Sequence, residues 1–182
     1  METRILIAGF GGQGILFFGR VLAYTGMLGN KEVTWFPSYG AEIRGGTANC
    51  TVIVSDELIG SPIVTNPDIL IVMNEASLKK FQARLRQKGL LIFDSSLIKD
   101  PELRTDIEIV GVPATEISHS FGNAKSANMV LLGAFIAKTG LLEKNYVFDA
   151  LESTVPDRKK KSIGVNKNAL IEGMKFIEDK KG

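Results

Sequence analysis

The chain alternates between short apolar runs and longer segments with helical periodicity. Runs of four to six residues, bounded by glycine, proline or polar residues, predict buried strands at 5–8, 33–36, 49–54, 69–73, 90–93 and 107–112. Residues 58–59 are expected to return as a short hairpin arm. Helices are predicted at 15–28, 75–87, 124–138 and 145–154, and a last helix from 166 onward with Asn166 as its N-cap.

The polarity of the predicted helices indicates how they pack. Segments 15–28 and 124–138 are apolar on nearly every side, which is typical of buried helices, whereas 75–87 is amphipathic. Strands that alternate with helices predict an α/β fold. We expect three α/β/α layers around a mostly parallel sheet, which can be mixed, with a Rossmann-like first βα unit. The length of 182 residues predicts a single domain over 1–182.

Composition excludes some classes of function. Apolar residues make up 45% of the chain, charged residues 23%, and the net charge of +2 is too small to indicate a nucleic-acid partner. No apolar stretch reaches the length of about 20 residues that spans a bilayer, so no membrane partner is expected. The basic run Arg158, Lys159, Lys160 and Lys161 is interpreted as a solvated loop or helix face, with contact to an acidic partner as the alternative.

Few residues have the types and spacing that catalysis needs. Cys50 is the only cysteine, so this chain has no thiolate set for an iron–sulfur cluster and no internal disulfide, and a cytoplasmic location is expected. Cys50 lies in a strand pattern and is interpreted as an inert core residue. His119, the only histidine, is expected at the surface or at a helix cap. We assign no catalytic residue and no metal site.

The segment "GFGGQGI" carries the most specific local signal. Gly9, Gly11 and Gly14 fit G-x-G-x-x-G between a predicted strand and a predicted helix, and Gly12 lies inside the same turn. Such a turn points backbone N–H groups at an anion. A dinucleotide site also needs an acid at the end of the second strand, but that strand ends in "VTWFPSY" and Glu32 lies at its start. A tight structural turn and an anion or partner contact therefore both remain open, with NAD(P) or FAD binding as the alternative.

A long glycine-rich loop, "PSYGAEIRGGTA" at 37–48, follows the second predicted strand. Because loops after parallel strands share an edge of the sheet, we expect it to face the glycine turn. Its glycines allow close approach of another backbone, and its polar side chains suit directed contacts across an interface. The residues assigned to these contacts are Tyr39, Glu42, Arg44, Gly45 and Gly46. The alternative is that Glu42 and Arg44 pair with each other or with solvent.

Four segments in a fixed order carry a family resemblance. "GFGGQGI", "WFPSYGAEIRGGTANCTVIVSDELIGSP", "NPDILIVMN" and "GNAKSANMVLLGA" resemble the gamma subunit of 2-oxoacid:ferredoxin oxidoreductases, over about residues 4 to 175. The amino-acid sequence of the long loop is most similar to that of the 2-oxoglutarate branch of the family. The pyruvate and branched-chain branches and the related indolepyruvate enzyme remain alternatives.

The resemblance implies an accessory role in a larger enzyme. The family oxidatively decarboxylates a 2-oxoacid to its acyl-CoA and passes the electrons to ferredoxin, with thiamine diphosphate and iron–sulfur clusters carried by other subunits. The expected partners are alpha, beta and ferredoxin-like delta subunits, with ferredoxin as the acceptor of the complex. This chain alone is expected to bind no cofactor, to be inactive, and to be able to self-associate when isolated.

The resemblance also places the candidate contacts. It marks the glycine turn (Gly9, Gly11, Gly12, Gly14) and the loop residues above as positions that would contact partner subunits or coenzyme A. The alternative function is a stand-alone Rossmann-type NAD(P)- or FAD-binding oxidoreductase.

Overall fold

The computed structural model describes residues 1–38 and 47–180, which fold into strands and helices around one sheet. The strands are β1 Glu2–Phe10, β2 Glu32–Ser38, β3 Thr47–Ser55, β4 Ile69–Val72, β5 Leu90–Asp94 and β6 Glu108–Val112. The helices are α1 Ile15–Leu28, α2 Glu75–Phe81, α3 Ala114–Ser120, α4 Ala127–Thr139, α5 Lys144–Thr154 and α6 Ile163–Asp179. Short 3₁₀ turns occur at Gln82–Arg84, Ala124–Ser126 and Asp157–Ser162.

The sheet is mixed, in the order β2-β3-β1-β4-β5-β6. Strand β3 runs antiparallel to both of its neighbours, β1 and β2. The pairings β1–β4, β4–β5 and β5–β6 are parallel. The predicted α/β class with a mostly parallel, mixed sheet is therefore confirmed.

Both faces of the sheet are covered by helices. On β1, Ile5 and Ile7 point to the face that packs against α1, α4, α5 and α6, whereas Leu6 and Ala8 point to the face that packs against α2. Alternate residues of one strand thus belong to two separate apolar clusters, because successive side chains of a strand point to opposite faces of the sheet. The structure has the three α/β/α layers that the sequence predicted.

The predicted end of the amphipathic helix and the predicted hairpin arm are wrong. The amphipathic helix ends at Phe81 and the following 3₁₀ turn at Arg84, well before residue 87. Beyond it, other segments take the backbone hydrogen bonds: the Arg86 N–H donates to Pro67 and the Lys88 N–H to Asp106. Residues 58–59 form no strand.

The last helix begins before its predicted start. It starts at Ile163, and Asn166 lies within it. The Asn166 side chain does not cap the helix, because its Oδ1 accepts a hydrogen bond from the Ser126 hydroxyl at 3.0 Å. Helix α3, at Ala114–Ser120, was not predicted at all. It is a short helix of seven residues, of which only Ala114 and Ser118 are buried, so its apolar periodicity is weak.

The two apolar helices differ in their burial. In α4, every residue from 127 to 136 is buried, as predicted. In α1, the prediction of burial on nearly every side is wrong, because Tyr24, Met27 and Leu28 are exposed, Met27 by 57%. An apolar helix with one uncovered side is a common feature of surfaces that meet another protein.

Helices α4 and α6 cross at a pair of glycines. A Cβ atom at Gly133 would lie 2.8 Å from the carbonyl carbon of Leu170 and still closer to its oxygen. A Cβ atom at Gly173 would overlap the Val130 carbonyl in the same way. Each helix thus presses its backbone against the glycine of the other, and neither position has room for a side chain.

Candidate functional site

The carboxyl ends of β1 and β4 border a crevice where the chain connections diverge. From β1 the chain continues through α1 to β2 on one side of the sheet, and from β4 it continues through α2 to β5 on the other. Ligands of open α/β sheets bind at such a switch point. The crevice has a volume of about 650 Å³ and is lined by Phe10, Gln13, Asn74, Glu75, Ala76, Lys79 and Leu97.

The glycine turn that joins β1 to α1 is filled from inside by the protein's own side chains. A Cβ atom at Gly9 would lie 2.7 Å from the Gln13 Oε1 atom and 2.7 Å from the Ile15 Cδ1 atom. At Gly14, the N-cap of α1 with φ of 77°, a Cβ atom would overlap the side-chain amide of Asn128. Gly9 and Gly14 are therefore required by packing within this chain.

No described residue covers the outer side of the turn. Gly11 and Gly12 are exposed. Gly12 has φ of +94°, and a Cβ atom there would meet no atom of residues 1–38 and 47–180 within 4 Å. No side chain among the described residues caps α1, so none of them satisfies its first N–H groups. An incoming backbone or anionic group would approach from this side.

The side chain of Gln13 ties the end of β1 to the end of β4. Its Oε1 atom accepts hydrogen bonds from the Phe10 N–H at 2.6 Å and from the Asn74 Nδ2 atom at 3.2 Å. Its Nε2 atom donates to the Met73 carbonyl at 3.2 Å. These bonds hold the two strand ends together at the inner end of the crevice.

Two buried asparagines complete this arrangement. The Oδ1 atom of Asn74 accepts a hydrogen bond from the Ser77 N–H at 2.8 Å and so caps α2. The Nδ2 atom of Asn128 donates to the Gly14 carbonyl at 3.1 Å and so joins α4 to the start of α1. Neither asparagine was singled out from the sequence. The sequence feature that could have identified them is a single amide residue beside a strongly apolar run. Asn74 is at the end of "DILIVMN", and Asn128 lies within "ANMVLLGA".

The sheet order does not suit a dinucleotide. In the Rossmann arrangement the acid that holds the ribose follows a strand adjacent to the first. Here β3 lies between β1 and β2, so the end of β2 is two strand spacings away, roughly 10 Å. Glu32 pairs with Ser55, at the opposite end of β2 from the glycine turn. Within residues 1–38 and 47–180, the side chains and the strand order do not fit NAD(P) or FAD bound in the usual way.

Titration of NAD, NADP or FAD into the purified chain is therefore expected to give no saturable binding below about 1 mM, which corresponds to roughly −4 kcal/mol. Isothermal calorimetry measures this directly. Binding in the micromolar range would contradict the argument from strand order. Gln13→Ala is the control variant for this titration. It removes side-chain atoms from inside the turn and adds no group that could bind a ribose.

The long loop is partly outside the described residues. Tyr39, Glu42, Arg44, Gly45 and Gly46 all lie there, so their predicted contacts stay predictions. The residues that flank the gap pair with β3 and β1: Ser38 with Asn49, and Thr47 with Phe10. Both ends of the loop therefore lie at the same edge as the glycine turn. The expected reason is confirmed, because β1 and β2 run in the same direction, although they are not adjacent: β3 lies between them and is antiparallel to both.

The other residues considered for chemistry have structural surroundings. Burial raises the pKa of the Cys50 thiol to about 12, and the thiol donates to the Ile15 carbonyl at 3.6 Å. Its interpretation as an inert core residue is confirmed. His119 is exposed in the last turn of α3, as expected. The neighbouring Ser118 and Ser120 hydroxyls donate to carbonyls of their own helix.

Neither a metal site nor a membrane span is found in residues 1–38 and 47–180. No group of three His, Cys, Asp or Glu side chains in these ranges could hold a metal ion. No helix in the same ranges is long and apolar enough to cross a membrane.

Comparison with known proteins identifies the family. The sequence pattern described as pyruvate ferredoxin/flavodoxin oxidoreductase matches residues 4–176. Ketoisovalerate oxidoreductase subunit VorA of Methanothermobacter marburgensis is 38% identical over 174 residues, which are 94% of this chain and 36% of VorA. The chain thus spans little more than a third of that relative. The 2-oxoglutarate synthase subunit KorC of the same organism is 32% identical over 96% of this chain and 100% of KorC.

A solved structure supports the same assignment. The gamma subunit of a keto/oxoacid ferredoxin oxidoreductase from Geobacter sulfurreducens is 27% identical, with a TM-score of 0.84 over 97% of this chain and 99% of that chain. The resemblance found in the four sequence segments is therefore confirmed, and the chain belongs to the pyruvate ferredoxin/flavodoxin oxidoreductase family.

Proposed function

We propose that this chain is the gamma subunit of a 2-oxoacid:ferredoxin oxidoreductase that acts on 2-oxoglutarate. The observation that carries the proposal is the match to KorC, which extends over 96% of this chain and 100% of KorC. KorC is named as a subunit of 2-oxoglutarate synthase. The complex would oxidatively decarboxylate the 2-oxoacid to an acyl-CoA and reduce ferredoxin.

A branched-chain 2-oxoacid is the second candidate substrate. The observation in its favour is the higher identity, 38%, to the ketoisovalerate subunit VorA. VorA contains the region similar to this chain within a polypeptide that is nearly three times as long.

Exposed apolar side chains support a role in assembly. Leu58 and Ile63, in the irregular segment between β3 and β4, are 87% and 71% exposed. On α1, the exposed side of Tyr24, Met27 and Leu28 forms a second apolar surface. Burying such residues against another protein contributes about 25 cal/mol for each Å² of apolar surface. We propose both surfaces as contacts with alpha, beta or delta subunits.

The glycine turn is proposed as a contact with coenzyme A or a neighbouring subunit. The open side of Gly12 and the uncapped start of α1 favour a backbone or an anionic group at this place. The loop residues Tyr39, Glu42, Arg44, Gly45 and Gly46 are proposed to take part in the same contact. Thiamine diphosphate and iron–sulfur clusters would be bound by the partner subunits and supply the decarboxylation and electron-transfer chemistry.

Affinity purification of the tagged chain from its native cells is expected to recover larger subunits, and the recovered complex is expected to turn over 2-oxoglutarate with coenzyme A and ferredoxin. Pyruvate and 2-oxoisovalerate, assayed in parallel, distinguish the substrate branches. The chain purified alone, with thiamine diphosphate added, is expected to show no activity above background. Activity of the chain alone, or recovery without partners, would contradict the proposed function.

A further inference from the structure

The beginnings of α1, α4 and α6 are linked at one edge of the molecule. Asn128, in the first turn of α4, donates a hydrogen bond to Gly14 at the start of α1. Ser126, the N-cap of α4, donates to Asn166 in the first turn of α6. This edge also holds the glycine turn, so the three helices point their N-terminal ends toward the side where the candidate site lies.

The basic run found in the sequence lies at this edge. Arg158, Lys159, Lys160 and Lys161 belong to the 3₁₀ turn Asp157–Ser162, which leads directly into α6. The turn follows α5, whose last residue, Thr154, accepts a hydrogen bond from Arg20 of α1 through its carbonyl, at 3.0 Å. The turn is therefore anchored beside α1 at one end and α6 at the other.

The basic side chains are exposed and only partly neutralised. None of the six residues of the turn is buried. Lys160 forms an ion pair with Asp157 at 2.8 Å, and the side chain of Asp157 is 92% exposed. Lys125, in the 3₁₀ turn before α4, is also exposed and adds a further positive charge to the same edge.

The helix ends strengthen the positive potential of this surface. None of α1, α4 and α6 has an acidic residue in its first turn, and no side chain in the described part of the protein caps any of their N-termini. Each helix N-terminus carries a partial positive charge of about half an elementary charge, which acts within roughly one turn. Basic side chains and helix ends therefore contribute potential of the same sign.

We propose that this basic surface, formed by Lys125, Arg158, Lys159, Lys160 and Lys161, docks an acidic face of a partner subunit. The surface suits a protein better than a small anion, because its side chains stand on an exposed turn and none of them lines the switch-point crevice. Complementary charge across an interface speeds encounter and fixes orientation. The proposal rests on the proposed function, since it requires that such a subunit exists.

The test compares two charge-reversed chains that carry the same change in net charge. K159E/K161E alters the basic surface, and K88E/K175E alters exposed lysines elsewhere on the described structure. Partner subunits recovered with the wild-type chain are immobilised, and binding of each chain is measured by biolayer interferometry at two salt concentrations. Thermal melts establish first that both variants fold.

At about 50 mM salt, K159E/K161E is expected to raise the Kd at least about tenfold, mainly through slower association, because charge steering is least screened there. At about 0.5 M salt the difference from wild type is expected to fall below about threefold. K88E/K175E is expected to stay within about threefold of wild type at both salt concentrations.

Other outcomes overturn the proposal. Equal weakening by both variants would show an effect of net charge alone, and unchanged binding of K159E/K161E would exclude docking at this surface. A chain that binds inorganic tripolyphosphate through these lysines, while partner binding is unaffected, would make the surface a small-anion site. If complexes form and their Kd is unchanged by the charge reversal, only this inference fails. If no subunit is recovered, the proposed function fails with it.

Discussion

Gly133→Ala is expected to lower the free energy of unfolding by about 3 kcal/mol or more, at the upper end of the cost of overpacking a core. The added methyl group would overlap the Leu170 carbonyl, and backbone of a buried helix cannot rotate away as a side chain can. Helices α4 and α6 would have to separate along their crossing. For a domain of this size, such a loss lowers Tm by roughly 6–12 °C, which chemical and thermal unfolding of the isolated chain can measure.

Gly164→Ala is the matched control for this substitution. Gly164 lies in the first turn of α6, is exposed, and a Cβ atom there would meet nothing within 4 Å. Alanine is the better helix former, so this change is expected to stabilise the chain by about 0.5–1 kcal/mol. Gly173→Ala should resemble Gly133→Ala, since it overlaps the Val130 carbonyl. Equal small effects at 133 and 164 would show that the crossing is looser than the structure indicates.

Elements whose burial decides their pattern were predictable from the sequence. Helix α1 was predicted with both of its boundaries, and α4 was recognised because residues 127–136 are all buried and apolar. The end of α2 was not predictable from periodicity. Leu85 continues the apolar pattern and is buried, yet its backbone is extended, with ψ of 133°. Hydrogen bonds from distant segments override the helical pattern there.

The direction of β3 was also hidden from a reading of the pattern. Its residues from Cys50 to Ser55 are buried on both faces, as in an interior parallel strand, because the sheet is covered on both sides. Hairpins are recognised mainly by connections of two to five residues, and the connection from β2 to β3 is longer. An apolar run indicates that a strand is interior, but it does not encode which way the strand runs.

The candidate site was predicted through its glycines and not through its amides. The spacing of Gly9, Gly11 and Gly14 located the turn, since only a few backbone shapes connect a strand to a helix so tightly. The contacts of Gln13, Asn74 and Asn128 join residues up to 114 positions apart, and no local pattern reports on them. These contacts explain why a turn with dinucleotide-like spacing is kept here by packing needs.

Gly14→Ala is expected to lower the free energy of unfolding by about 2–4 kcal/mol. This loss is larger than the one expected for Gly11 or Gly12, the two glycines of the turn that are exposed. Two effects add: alanine at φ of 77° is strained by about 1–2 kcal/mol, and its methyl group overlaps the buried Asn128 amide. Gly12→Ala isolates the first effect, because φ is +94° there but no described residue lies within 4 Å of the added methyl group. Urea unfolding of the isolated chain measures both variants, and equal losses would show that the Asn128 side chain yields freely.

Asn128→Ala separates the two effects at Gly14. In a chain that already carries Asn128→Ala, the overlap is absent, so Gly14→Ala is expected to cost only the strain, about 1–2 kcal/mol. The coupling free energy between positions 14 and 128 in the double-mutant cycle then measures the overlap itself. Gly12→Ala also tests the proposed contact at the outer side of the turn: if coenzyme A or a subunit binds there, this substitution should weaken that binding by more than its stability loss explains. If Gly12→Ala lowers the free energy of unfolding by the expected amount but does not change binding in the assembled complex, the turn has a purely structural role.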